Sequence, residues 1–141
     1  MNIDSIKNGL VIDHITAGKS MQIYEMLKLD LLDCSVAVIK NASSRKMGKK
    51  DIIKIDSNIN VDLDVLGYLS PNATVSTIEN GVLVEKRHIS PPERLVNVIK
   101  CKNPRCITQT EQEIKHVFLL TDREKPEYRC MYCDTAAEKT V

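Results

Sequence analysis

The chain has 141 residues, 20 Lys/Arg against 19 Asp/Glu for a net charge of +1, and a hydrophobic share of 43%. The balance holds along its length, twelve basic against twelve acidic residues in 1–94 and eight against seven in 95–141. It argues against a sequence-independent nucleic-acid binder, which carries a one-sided basic excess. No apolar run approaches the roughly 18 residues of a membrane span, and MNIDSIKNGL lacks the basic and apolar regions of a signal peptide. A cytoplasmic protein with reduced thiols is the expectation.

In chain order, Gly9 to Ile15 reads as a strand, apolar until Asp13 and His14 interrupt it. A helix follows from Ser20, its expected N-cap, to about Lys28, with Met21, Tyr24, Leu27 and Lys28 spaced for one face. Cys34 to Ile39 is a short β-branched strand, residues 41–50 a polar, basic loop, and Asp51 to Asp56 a third strand. Asn60 or Asp62 caps a second helix with Leu63, Leu66 and Leu69 inward, which Pro71 stops. Asn80-Gly81 between Ala73–Ile78 and Val82–Lys86 predicts a hairpin.

The order β-α-β-β-α-β plus one strand predicts an α+β fold of ferredoxin-like βαββαβ layout, a sheet carrying two helices. Ser90-Pro91-Pro92-Glu93-Arg94 is a stiff joint that ends this first domain at residue 94. Residues 95–141 form a small all-β domain with strands at Val96–Ile99, Lys115–Leu120 and Tyr128–Met131. Tryptophan is absent and there is one phenylalanine. Such a short segment with so few aromatics needs a metal, disulfides or a partner to fold.

Cys101, Cys106, Cys130 and Cys133 meet that need. Two close pairs on tight turns, C-x4-C and C-x2-C, can aim four thiolates at one ion, most often Zn²⁺. Lys100, Lys102, Arg105 and Arg129 flank the thiolates and favour their deprotonation. Four protein ligands leave no open position, so the site is structural rather than catalytic. Iron is the rival metal; two disulfides, or thiols paired by accident, are the alternatives without one. The fifth cysteine, Cys34, reads as a small buried core residue, and His88 and His116, with no cysteine partner at ligand spacing, as surface or interface residues.

In the first domain, Asp13, His14, Lys54 and Lys86 sit on neighbouring strands. Each alone reads as a strand end or a solvent-facing position. Together they suit a phosphate chain and a ribose, cations meeting phosphate and the carboxylate accepting from sugar hydroxyls. No phosphate-binding glycine loop and no nucleophile motif is present, so a nucleotide held here would be bound and released intact.

Asn8 to Ile15, Met47 to Ile55, Ala73-Thr74-Val75 and the four cysteines in this order resemble the regulatory chain of aspartate carbamoyltransferase, almost end to end. The resemblance implies an allosteric domain, a zinc domain and no activity of its own. It implies homodimers joined through the first domain, and zinc domains that grip the catalytic chain. Three such dimers tie two catalytic trimers into a holoenzyme for the first committed step of pyrimidine biosynthesis. It implies nucleoside triphosphates as effectors, CTP and UTP inhibiting and ATP activating. His14 and Lys86 then face the triphosphate and Lys54 with Asp13 the ribose, while Ile6, Lys50, Ile52, Ile78 and Leu83 line the same pocket. Ser76 and Gly81 depart from the family's asparagine and tyrosine, which leaves effector preference open.

Two other readings compete. A zinc-ribbon module binding nucleic acid draws on the basic residues around Cys101 to Arg105, against the charge balance and the sparse aromatics. An enzyme using Asp13-His14 as an acid–base pair lacks an open metal position and a nucleophile motif.

Overall fold

Buried residues alternate along the first strand, Leu10, Ile12 and then Ile15, and along its neighbour as Asp51, Ile53 and Ile55. Period-two burial of this kind makes a sheet with one covered face. The computed structural model describes residues 6–137 of the chain, which falls into two units, residues 1–90 and 91–141.

The first unit runs β1 (Gly9–Thr16), α1 (Ser20–Met26), a 3₁₀ turn (Leu29–Leu31), β2 (Val36–Ser44), β3 (Gly48–Ile55), α2 (Leu63–Leu69), β4 (Thr74–Glu79) and β5 (Val82–His88). The strands form one sheet in the order β2-β3-β1-β4-β5, with every neighbouring pair antiparallel. This is the split βαβ arrangement extended by β5. The α+β expectation holds.

Ile23 of α1 and Val65, Leu66 and Leu69 of α2 are buried with Ile12, Ile15, Ile53, Ile55 and Val75 in the core. α1 packs against α2, β2 and β3. Asp62 caps α2, its Oδ1 accepting from the N–H groups of Asp64 at 3.0 Å and Val65 at 3.4 Å. Gly9 is required for close approach, since a Cβ there would lie 2.0 Å from the Ile55 carbonyl oxygen. Asn80 (φ 52°) and Gly81 (φ 77°) make the expected tight turn between β4 and β5.

Several local expectations change. Ser20 is the first residue of α1, not its cap; Lys19 takes that place with no side-chain capping bond. Met21 is 46% exposed, and α1 buries Ser20 and Ile23. Lys28 turns left-handed, with φ 56°, so the helix ends before it. Residues 41–50 are the paired ends of β2 and β3, with Ser43 opposite Lys49 and Ser44 opposite Gly48. They read as a loop because an edge hairpin that leaves the core has no apolar face to show in its sequence.

The second unit is a three-stranded sheet ordered β6-β7-β8, built from β6 (Arg94–Val96), β7 (Val117–Asp122) and β8 (Glu127–Cys130), with one helical turn at Ile107–Thr110. Arg94 thus opens the second unit's sheet, although the sequence reading ended the first domain on it. Leu95, Val117, Phe118 and Tyr128 form a small core, and the Tyr128 hydroxyl donates to the Pro92 carbonyl at 2.6 Å. Among the described residues, no helix is long and apolar enough to cross a membrane.

Candidate functional site

The cysteine cluster is assembled from loop ends. Cys101 precedes a turn in which the Cys106 N–H bonds the Asn103 carbonyl at 3.0 Å. Cys130 ends β8, and its carbonyl accepts from Asp134 N at 2.9 Å, which folds Cys133 back toward it. The four sulfur atoms lie within 4.8 Å of one another, with Cys101–Cys133 at 3.5 Å and Cys106–Cys130 at 3.7 Å. A tetrahedral tetrathiolate site with metal–sulfur bonds near 2.3 Å has sulfur–sulfur edges of about 3.8 Å. A disulfide brings the two atoms to about 2.05 Å. The cluster has the dimensions of a metal centre, and all four cysteines are free of disulfides.

Threonine hydroxyls tune two of these thiols. Thr108 Oγ1 donates to Cys106 Sγ at 3.2 Å and holds its pKa below the ordinary thiol value. Thr135 Oγ1 lies 3.2 Å from Cys133 Sγ and brings that thiol down to about 6. Burial pushes Cys130 up and Cys101 up to about 12, so these two need the charge of an ion to deprotonate at neutral pH. Arg129, expected to favour the thiolates, is engaged by the Asp134 carbonyl at 2.9 Å and by Glu127 at 3.1 Å. His116 is a neighbour the spacing did not reveal: its Nδ1 accepts from Cys101 N at 3.2 Å.

In the first unit, strand register sorts the remaining polar residues. Pairing aligns Ala37 with Lys54, Lys54 with Val11, Val11 with Ser76 and Ser76 with Lys86. Directly opposed residues share a face, so Lys54, Ser76 and Lys86 stand in one row across the sheet. That face is opposite the one bearing Ile12, Ile53 and Val75, against which the helices pack. Three strand spacings, about 14 Å, separate the Lys54 and Lys86 backbones. The next row on the same face holds Asp13, Thr74 and His88; Ile52 and Ile78 share that face by alternation, and Leu83 through the register shift in β4–β5 that pairs it with Ile78. Ile6 is buried just before β1.

Asp13 and His14 lie where the β1–β3 register shifts, and His14 has φ 55°. Such a bulge re-aims side chains. Lys50 Nζ reaches Asp13 Oδ1 at 2.9 Å, and the His14 N–H donates to the same carboxylate at 2.6 Å. Burial works to raise the Asp13 pKa, but the Lys50 bond and charge, with the His14 N–H, outweigh it and hold the carboxyl below its usual value. His14 Nδ1 is 3.1 Å from Thr74 Oγ1. A cavity of about 210 Å³ beside them is lined by His14, Lys46, Met47, Asn72, Thr74 and His88. Lys54 and Lys86 are not among its walls. His88, read from sequence as a surface or interface residue, is exposed at the end of β5 and lines this cavity, two residues beyond Lys86 on one strand.

The helix-covered side hides another residue the reading missed. Asp51 is fully buried and accepts from the N–H groups of Gly18 at 3.1 Å, Ser20 at 3.3 Å and Asn41 at 3.0 Å. Burial opposes its charge, but bonds from Ser20, Asn41 and Gly18 prevail and lower its pKa. The residue is structural: it ties the start of α1 to the bulge in β2.

Residues 1–90 match the family described as aspartate carbamoyltransferase regulatory chain, allosteric domain. Residues 93–141 match the metal binding domain of the same regulatory chain. The aspartate carbamoyltransferase regulatory chain of Clostridium botulinum is 52% identical over 134 residues, 95% of this chain and 92% of that one. The namesake from Bifidobacterium longum is 47% identical over 138 residues, covering 98% and 99%, and that of Clostridium tetani 49% over 135 residues, covering 95% and 94%. With a sheet unit, a thiolate cluster of metal-site dimensions and matches spanning both units, the chain belongs to the aspartate carbamoyltransferase regulatory chains, which are non-catalytic subunits.

Proposed function

We propose that the chain binds nucleoside triphosphates on the outer face of its first unit and transmits their presence to a carbamoyltransferase catalytic chain held by the second. CTP and UTP inhibit and ATP activates, controlling the first committed step of pyrimidine biosynthesis. The observation that carries the reading is the row of Lys54, Ser76 and Lys86, with Asp13 and His14 in and beside the next row, on a face free of helices. Lysines at the two ends of a roughly 14 Å row suit a ligand with a sugar at one end and polyphosphate at the other. His14 and Lys86 meet the phosphates; Lys54 and Asp13 meet the ribose. Ile6, Ile52, Ile78 and Leu83 supply apolar lining, and Lys50 holds the Asp13 carboxylate in place.

The ion of the second unit is Zn²⁺, which accepts four thiolates without a preference in geometry beyond tetrahedral. When bound it supplies folding energy to the domain beyond the Pro91-Pro92 joint, and its ligands are Cys101, Cys106, Cys130 and Cys133. Ile107, Met131 and Tyr132 project from the cysteine knuckles at 47%, 41% and 44% exposure. Aromatic and methionine side chains displayed in this way suit a partner surface, and the catalytic chain is the partner proposed. Dimers form through the first unit, and three of them join two catalytic trimers in the cytoplasm.

The effector acts only through differential affinity for two states of the enzyme, typically 1–3 kcal/mol of coupling. The test is the solution mass of the zinc-loaded chain mixed with its cognate catalytic trimer, followed by nucleotide titration. One species of two trimers and three dimers, with triphosphate binding weakened about tenfold or more by Lys54→Ala or Lys86→Ala, is the expected result. Absence of association with zinc bound would overturn the assembly, and unchanged affinity in both variants would overturn the site.

A further inference from the structure

Both cysteine pairs end in the same three-residue pattern. Thr108 follows Cys106 by two residues, and Thr135 follows Cys133 by two. Each hydroxyl oxygen lies 3.2 Å from the sulfur of its own knuckle. The two sulfurs differ in exposure. Cys101, Cys106 and Cys130 are buried, whereas Cys133 is half-buried. It is therefore the one of the four that a small molecule in solution meets first.

The hydroxyl beside Cys133 has a fixed direction. Asn103, in the turn between Cys101 and Cys106, accepts from the Arg105 N–H at 3.0 Å through Oδ1. That turns its amide group toward the other knuckle, where Nδ2 donates to Thr135 Oγ1 at 3.3 Å. A hydroxyl that accepts there still has one proton to donate, and Cys133 Sγ is within its reach. Backbone bonds hold Thr135 in place. Its carbonyl accepts from Cys130 N at 2.9 Å, and the next residue, Ala136, pairs with Arg129 of β8. A sulfur that ligates a metal is a thiolate, an acceptor only. The bonds then run one way, from Arg105 N–H to Asn103, from Asn103 to Thr135, and from Thr135 to Cys133.

We infer that Asn103 and Thr135 are positioning residues that guard the exposed ligand of the metal centre: their relay lowers the nucleophilicity of Cys133 and keeps the ion in place until the catalytic chain covers the knuckles. The inference rests on the zinc reading above and adds to it two residues and their role. Attack by the sulfur on an alkyl iodide forms a sulfur–carbon bond from a sulfur lone pair. The carbon–iodine bond breaks, and iodide leaves with its electron pair. The neutral thioether left behind no longer offers a charge to the ion. A hydrogen bond to a charged sulfur is stronger than one to a neutral sulfur, so the Thr135 bond is spent as the reaction proceeds and its loss slows attack. Thr108 makes the same bond to Cys106, where burial already keeps reagents away.

Iodoacetamide labelling of the zinc-loaded full-length chain, read at each cysteine by mass spectrometry with zinc content and release followed alongside, decides the matter. Thr135→Val keeps the shape of the side chain and removes the hydroxyl. It should speed labelling of Cys133 and the release of zinc about tenfold, whereas Thr135→Ser should stay within about twofold of the wild type. Asn103→Ala should speed labelling by less, and Thr108→Val should leave Cys133 unchanged. In the cobalt-loaded chain the sulfur-to-metal charge-transfer band should move to longer wavelength in Thr135→Val and not in Thr135→Ser, because a sulfur without the hydrogen bond holds its lone pair at higher energy. Equal labelling of Cys133 in the wild type and Thr135→Val, with zinc bound, would overturn the guard and leave the zinc site standing. So would faster labelling of all four cysteines in Thr135→Val and Thr135→Ser alike, the mark of a loosened knuckle. A wild-type chain that holds no zinc would remove both ideas.

Discussion

Asp51 shows how one buried charge can organise a domain. Its three backbone donors come from the β1–α1 connection, the first turn of α1 and the bulge of β2, so it joins segments far apart in sequence. Hydrogen bonds to a charged group contribute about 1.5–3 kcal/mol where they are made. Asp51→Asn should therefore destabilise the first unit by about 1–3 kcal/mol, read as a lower urea midpoint. Because its pKa is lowered from the ordinary 3.8 on folding, its contribution is complete above the unfolded value and fades as pH falls through the folded one. Acid titration of stability should be correspondingly flatter in the variant between about pH 5 and 2. The residue was legible in principle, since Asp51 is in phase with Ile53 and Ile55 on the covered face. Nothing in the sequence told which backbone donors would meet it.

At the scale of elements, pairing does what local pattern cannot. β1 sits between β3 and β4, and its entry is Gly9, where a Cβ would strike the Ile55 carbonyl at 2.0 Å. Gly9→Ala should separate the start of the β1–β3 ladder and cost at least about 2 kcal/mol, measured as a lower thermal midpoint; an unchanged midpoint would show that the strand can shift without loss. The strands with apolar alternation, and the hairpin turn at Asn80-Gly81, were readable from residue order. The end of the β2–β3 hairpin was not, because Lys40 to Lys50 carries polar residues on both faces. The row of Lys54, Ser76 and Lys86 depends on register across four strands, and a slip of one residue would turn each side chain to the other face.

At the scale of the whole molecule, the two units have different sources of stability. The first has a continuous apolar core. The second has Leu95, Val117, Phe118 and Tyr128 beside four buried or half-buried thiols, and binding energy of structural zinc, about 10–16 kcal/mol in small domains, is folding energy for such a module. A strong chelator should abolish the ordered signal of residues 91–137 in hydrogen exchange while the first unit stays protected, and should release the catalytic partner; retained protection after metal loss would contradict the idea. We propose that regulation passes through the joint at Ser90-Pro91-Pro92-Glu93. Replacing these four residues with a flexible glycine-rich segment should leave triphosphate affinity within about twofold, since none of them lies on the strand rows, but blunt the effector response of the assembled enzyme. An undiminished response would place the coupling elsewhere.

Residue order alone was sufficient for what depends on local chemistry. The cysteine spacing identified a metal-built module, alternation and turn residues identified an α+β domain, and blocks such as Asn8 to Ile15 and Met47 to Ile55 carried the resemblance to the regulatory chains. These features survive as sequence signals because the residues that interact are near neighbours or obey a short period. Only the tertiary structure decided that Asp51 is buried and bonded, that Thr108 and Thr135 lie against the thiols of Cys106 and Cys133, and that His88 and Lys46 share a cavity with His14. Those relations depend on strand register and on loops meeting across the sheet, distances that linear spacing does not encode.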